Sequence, residues 1–154
     1  MPSIGPTPVA PGTRRNGVVV PSAEHVEALA GVFEVATRDI RSVVVTQYSD
    51  FALMHGAIAV TRTNAIHLRG SAQRFFATPL LALHEYYHVL RQWNTGDLTV
   101  CRYIGEWIRQ GCCYGRIKYE VDANRFAARN VQKWLRLVTG ENHDVHHGNR
   151  QAVF

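Results

Sequence analysis

The run His84-Glu85-Tyr86-Tyr87-His88 constrains this chain more than any other stretch. A helix places residues four apart on one face, so His84 and His88 can aim two imidazoles at a single metal ion. Glu85 points about 100° around the same helix, within reach of a water on that metal. The flanks favour a helix over Leu80 to Trp93. Thr78 suits the N-cap, Pro79 suits the first helical position, and no breaker occurs before Asn94 and Gly96. The plain alternative is an ordinary histidine pair on a core or surface helix, because a chain with 8 His can carry such a pattern by chance.

A catalytic zinc usually takes three protein ligands and leaves a fourth position for water, so a further donor is needed. Glu120 opens a helical run whose positions 120, 124, 127, 131, 134 and 138 form one stripe, polar at its start and apolar afterwards. Such a helix packs its apolar length on a core and offers Glu120 and Asn124 at one end. Asn124, one turn on, can accept a hydrogen bond from a ligating imidazole and fix its tautomer. Glu106 competes for the third place, although Arg102, Glu106 and Arg109 share a charged face of the helix expected over Thr99 to Gln110. That face lies opposite Val100, Ile104, Trp107 and Ile108. Cys112 and Cys113, in the turn between Gly111 and Gly115, compete as thiolate donors.

The histidine motif followed by Glu120-x-x-Ala123-Asn124-x-Phe126-Ala127 resembles the gluzincin arrangement of zinc peptidases, and most of all the small ImmA/IrrE type. Leu80 to Trp93, preceded by a short hairpin, also resembles small metallopeptidase domains of bacterial toxin and contractile-injection effectors. The resemblance runs from about Ala57 to Leu137. It implies a zincin-like fold, a Zn2+ cofactor held by His84, His88 and Glu120, and a peptide or protein substrate. In thermolysin-like relatives an Asp stands where this chain has Asn124. The stretch between His88 and Glu120 is longer than in the compact thermolysin pattern, so an extra helix must fit there.

Composition frames this reading. With 154 residues and 46% hydrophobic content, one domain with a real core is expected over 18–140, between a tail at 1–17 and a polar tail at 141–154. The N-terminal stretch is rich in Pro and Gly and lacks the apolar core of a signal peptide. Seventeen basic against 12 acidic residues give a net charge of +5, spread along the chain without a DNA-reading motif, so no nucleic-acid partner is expected. No run is long enough to span a bilayer. Three cysteines, two of them adjacent, make no disulfide framework, and a cytoplasmic location is the expectation; signal-independent export would leave no mark.

The remaining elements read as an α+β domain, a small sheet packed on the His84 helix with two further helices after it. Ser22 to Thr37 is an amphipathic helix with Val26, Leu29, Phe33 and Ala36 inward. Arg41 to Gln47 is a strand. Ala57 to Thr61 and Ala65 to Arg69 form a hairpin about Thr63-Asn64, and Gly140 caps the last helix. One hairpin strand is expected to edge a cleft to which an extended substrate adds. Tyr86 and Tyr87 read as packing residues, whereas Tyr114 and Tyr119 are candidates to donate to a developing oxyanion. His25, His55 and His67 read as structural; His143, His146 and His147 lie in the tail.

The expected function is therefore zinc-dependent peptide hydrolysis with Glu85 as general base. The motif by itself indicates only metal-assisted hydrolysis, and the resemblance supplies the peptide. Two other classes stay open: a regulatory protein or toxin-type effector that cleaves or binds one protein partner, and a zinc-stabilised binding module without turnover.

Overall fold

The computed structural model describes residues 17–140. The remainder of the two tails, with His143, His146 and His147, lies outside the described residues. The architecture is α+β, with seven α-helices and a four-stranded mixed sheet among the described residues.

The sheet runs β1 (Gly17–Val19), β2 (Val44–Gln47), β4 (Ala65–Leu68), β3 (Ala59–Arg62). β1 is antiparallel to β2 and takes in Gly17, the last residue of the expected tail, opposite Gln47. β2 is parallel to β4, with Val45 beside Ile66, and β3 forms the expected antiparallel hairpin with β4, Thr61 opposite Ile66. Asn64 turns that hairpin with φ 53°, the left-handed conformation that asparagine tolerates. β3 is the edge of the sheet, and its outer side is unpaired among the described residues.

Six of the helices order the space around this sheet. α1 (Ala23–Phe33) buries Val26, Leu29 and Phe33, and Ser22 caps it by accepting from the His25 amide. It ends before the expected boundary because Glu34 turns left-handed at φ 54°, which leaves Ala36 exposed rather than inward. Three five-residue helices, α2 (Thr37–Arg41), α3 (Asp50–Met54) and α4 (Ala72–Phe76), were not expected. α2 takes up Arg41, so the second strand starts only at Val44. α5 (Pro79–Tyr87) carries the histidine motif, and α7 (Lys118–Thr139) carries Glu120. Between them lies α6 (Val100–Arg109), the extra helix required by the long spacing.

Thr78 precedes α5 as expected but does not cap it, because its hydroxyl donates to the Arg74 carbonyl at 2.9 Å. The helix also changes character at the second histidine. His88–Trp93 is a π-helical turn, a form often found at functional positions. The core joins Val45, Ile66 and Leu68 of the sheet to α1, α4, α5 and α7 through Phe33, Phe75, Leu83, Tyr86, Val89 and Trp134. α5 and α7 form the most extensive helix pair. No described helix is long and apolar enough to cross a membrane.

Candidate metal centre

Folding brings His84, His88 and Glu120 together at the junction of α5 and α7. His84 Nε2 lies 3.1 Å and His88 Nε2 3.4 Å from Glu120 Oε2, and the two Nε2 atoms are 2.9 Å apart. Glu120 is buried because the apolar stripe of α7, led by Ala127 and Trp134, packs on the core and draws the helix start inward.

The hydrogen bonds behind the imidazoles decide what faces the cluster. The Gln92 Nε2 amide donates to the Tyr119 carbonyl at 3.1 Å, which leaves Gln92 Oε1 facing His88 Nδ1 at 2.6 Å. An amide oxygen only accepts, so His88 Nδ1 carries the hydrogen and Nε2 presents a lone pair. His84 Nδ1 likewise donates to Asn124 Oδ1 at 3.0 Å, the role expected of Asn124. Two imidazole lone pairs and a carboxylate oxygen therefore converge within about one bond length of a common point. Glu120 Oε2 is buried there without a hydrogen-bond donor. Such an arrangement repels itself unless a proton or a cation lies among the three atoms.

A zinc ion fits this donor set. Three atoms at these spacings lie on a circle of radius roughly 1.8 Å, inside the ~2.0–2.1 Å reach of zinc to nitrogen and oxygen. Two neutral nitrogens and one carboxylate are also the ligand chemistry of hydrolytic zinc sites. Among the described residues, these three make the group of metal-ligating side chains that converges in this way. Glu106 is turned to Arg109 Nη1 at 2.8 Å and to Gln110 Nε2 at 3.0 Å, on the charged face of α6. Cys112 and Cys113 are exposed free thiols outside the group, with Cys112 at φ 60° in the turn after α6.

Without a metal the cluster must hold a proton. Burial opposes the charged form of His88, but the hydrogen bond and charge of Glu120, aided by Glu85, raise its pKa above the ordinary value. Burial would raise Glu120 too. Once a proton sits on the histidine pair, His84 and His88 can donate to Glu120, and that bonding with the charge of His88 outweighs burial and holds its carboxyl well below the usual range. Glu85 is buried beside the cluster, and this burial pushes its carboxyl up, only partly countered by His88 and His84.

A cavity of about 420 Å³ opens from the cluster, lined by Glu85, His88 and Glu120 on one side, the edge strand β3 on another, and Tyr103, Ile104 and Tyr114 opposite. Tyr103 donates its hydroxyl to Glu120 Oε1 at 3.1 Å, leaving Oε2 for the histidines. Tyr114 lines the cavity near the same carboxylate. Burial and the Glu120 carboxylate push both phenols up, so both stay protonated donors. Tyr119 does not join them. Its hydroxyl donates to the Asp97 carbonyl at 3.2 Å, because the first turn of α7 that sends Glu120 inward turns its neighbour away.

The other histidines stand apart. His25 stacks near Phe76 and Trp134, His67 lies beside Ser49 and Phe51, and His55 lines the cavity with Nδ1 donating to the Phe51 carbonyl at 2.7 Å. Tyr86 is fully buried as a packing residue, and its hydroxyl has no hydrogen-bond partner among the described residues. Sequence reasoning missed Gln92 and Tyr103. Gln92 left a signal, since it follows His88 by one helical turn on the same face. Tyr103 left a weaker one, since it stands three residues after Val100 and four before Trp107, on the apolar face of its helix.

Neither a family model, nor a curated protein, nor a solved structure matches this chain.

Proposed function

We propose that the chain is a zinc-dependent peptidase of gluzincin type with a zincin-like fold. The observation that carries this reading is the convergence of His84 Nε2, His88 Nε2 and Glu120 Oε2, with both imidazoles turned so that only lone pairs face the cluster. A structural zinc site closes all four positions with protein atoms, whereas three donors at the wall of a cavity leave one side open to substrate.

When bound, the metal supplies Lewis acidity, polarising a carbonyl and making water a nucleophile near neutral pH. Glu85 takes the proton of the attacking water and passes it to the departing amine. A carboxyl pushed up by burial suits both tasks, since it holds a proton more tightly than an ordinary carboxylate does. Tyr114, which lines the cavity, offers its phenolic hydrogen to the oxyanion that develops on the carbonyl, while the Tyr103 hydroxyl stays on Glu120. Gln92 and Asn124 keep the two imidazoles in the tautomer that presents Nε2. What supports a peptide substrate is the unpaired outer edge of β3 along the cavity, which an extended backbone can join by main-chain hydrogen bonds. A non-catalytic binding module has no use for a buried base beside the ligands, and Glu85 weighs against it.

The test joins metal analysis to a single substitution. The purified protein should hold about one zinc per chain and lose most of it in His84→Ala or His88→Ala. Glu85→Gln should keep fold and zinc while cleavage of a peptide library falls roughly 100-fold or more. Full zinc occupancy in the double histidine variant, or equal turnover in Glu85→Gln, would overturn the reading.

A further inference from the structure

We infer that the cavity recognises a carboxylate on its ligand through Arg62, an inference that rests on the cavity being the peptide cleft proposed above. Arg62 closes the edge strand β3 and lines the same cavity as Glu85 and His88. Its guanidinium carbon lies 5.3 Å from the ring centre of Phe51 and 5.3 Å from that of Trp93, so two aromatic rings flank the planar group. Trp93 is itself fixed, its Nε1 donating to Thr61 Oγ1 at 3.1 Å. One donor of the fork is used locally, Nη1 giving its hydrogen to the Thr61 carbonyl at 2.8 Å.

The rest of the fork is unspent. Among the described residues no carboxylate pairs with Arg62, and the ion pairs of the molecule lie elsewhere. Arg62 is also the sole arginine or lysine that lines the cavity, whose acidic groups, Glu85 and Glu120, gather at the histidines. A ligand laid along β3 from the metal cluster thus meets one uncompensated cation held in a fixed orientation. A guanidinium held beside two rings keeps its remaining N–H groups for hydrogen bonding, and that fork matches a carboxylate by two parallel bonds. The chemical class is a peptide bearing a carboxylate near the cluster, whether an acidic side chain or a free C-terminus. If Arg62 only pinned the end of β3 against Trp93, replacing it would change stability and leave selectivity alone.

The experiment measures binding, not turnover, so its outcome is separate from that of the peptidase reading. Zinc-loaded Glu85→Gln protein is titrated by calorimetry with two matched pairs of blocked peptides: acetyl-Ala-Ala-Asp-Ala-Ala-amide against its Asn twin, and acetyl-tri-alanine acid against its amide. In one pair the carboxylate form should bind roughly tenfold tighter, the scale of a charge-assisted bidentate contact. A gap in the first pair assigns a side-chain carboxylate, and a gap in the second a terminal one. Adding Arg62→Gln should close the gap, Arg62→Lys should keep part of it, and high salt should shrink it. Circular dichroism and zinc content confirm that each variant is folded. Should Arg62→Gln not fold, the lysine variant decides, and a gap equal to the parent's overturns the inference. Twins that bind alike in both pairs, an absence of binding by all four peptides, or a gap that survives Arg62→Gln would do so as well. None of these results would alter the zinc stoichiometry or the loss of turnover in Glu85→Gln by which the peptidase reading is judged.

Discussion

α5 and α7 bury Ala82, Leu83 and Tyr86 on one side of their junction and Ala123, Ala127 and Trp134 on the other, whereas α6, ten residues long, buries none. Both regions touch Glu120. The helix pair carries Glu120 and the two histidines, positioned by close-packed side chains, and α6 reaches the carboxylate through one phenol, that of Tyr103. The apolar face of α6, with Val100, Ile104, Trp107 and Ile108, stays exposed instead of packing on the core. Positional accuracy at a metal centre comes from the packing beneath the ligands, and a helix that only covers the site can be held lightly.

The contrast should appear first in stability. Trp134→Ala removes a fully buried indole beneath the helix pair and should cost about 3–5 kcal/mol in denaturant unfolding, whereas Ile104→Ala on α6 should stay within about 0.5 kcal/mol. Comparable losses from the two would erase the distinction. Hydrogen exchange gives the same comparison by residue: α6 amides should exchange through local opening, and those around Leu83 and Ala127 only with global unfolding.

Next in size is Gln92→Ala. It leaves the His88 Nδ1 hydrogen and the Tyr119 carbonyl without their partner, and should weaken zinc binding roughly 10–100-fold. An unchanged affinity in a competition titration would show that the π-helical turn serves packing alone.

The junction should also titrate. In metal-free protein the raised His88 stabilises fully below its ordinary value of 6.5, and this is lost as pH rises through the raised value. The lowered Glu120 stabilises fully above its ordinary value of 4.5, and this is lost as pH falls through the lowered value. Chelated protein should therefore be most stable between those two values and weaken on the alkaline side. Zinc requires the unprotonated imidazole, so loaded protein should gain over the same alkaline span. Melting curves with and without chelator should show the two trends diverging; parallel curves would contradict the shared-proton account.

The smallest effect belongs to the link between the regions. Tyr103→Phe deletes one hydrogen bond to Glu120 Oε1 and should lower zinc affinity by a few-fold, up to about tenfold. A loss as large as that of Gln92→Ala would mean that α6 holds the ligand as firmly as the core does.

What the sequence made legible follows from where periodicity exists. Glu120 stood out because a polar residue opens an otherwise apolar stripe, and Asn124 followed by one turn. The hairpin was readable from β-branched residues on either side of Thr63-Asn64. α2, α3 and α4 were not, since five residues hold barely more than one helical turn and show no period. β1 was hidden for a similar reason, as three residues beside a Pro-rich stretch carry little pattern of their own. The choice between Tyr114 and Tyr119 depended on where α7 begins relative to the preceding turn, and element boundaries are the least legible part of a pattern. Arg62 was invisible because it and its neighbours Phe51 and Trp93 sit on three separate elements.

His88 and Glu120 stand before and after α6 in the chain, and this order has a consequence for motion. A cation that joins them acts as a crosslink, fastening both flanks of the intervening segment at one point. α6 is then a tethered flap: it can lift from the cleft, but only as far as its two anchored ends allow. Close packing of α5 and α7 already holds those ends, so removing the cation would leave the leash unchanged and act on the flap only through Glu120 and its bond to Tyr103. Loss of metal should therefore reach the roof of the cavity through that one hydrogen bond, before any residue of the core has moved.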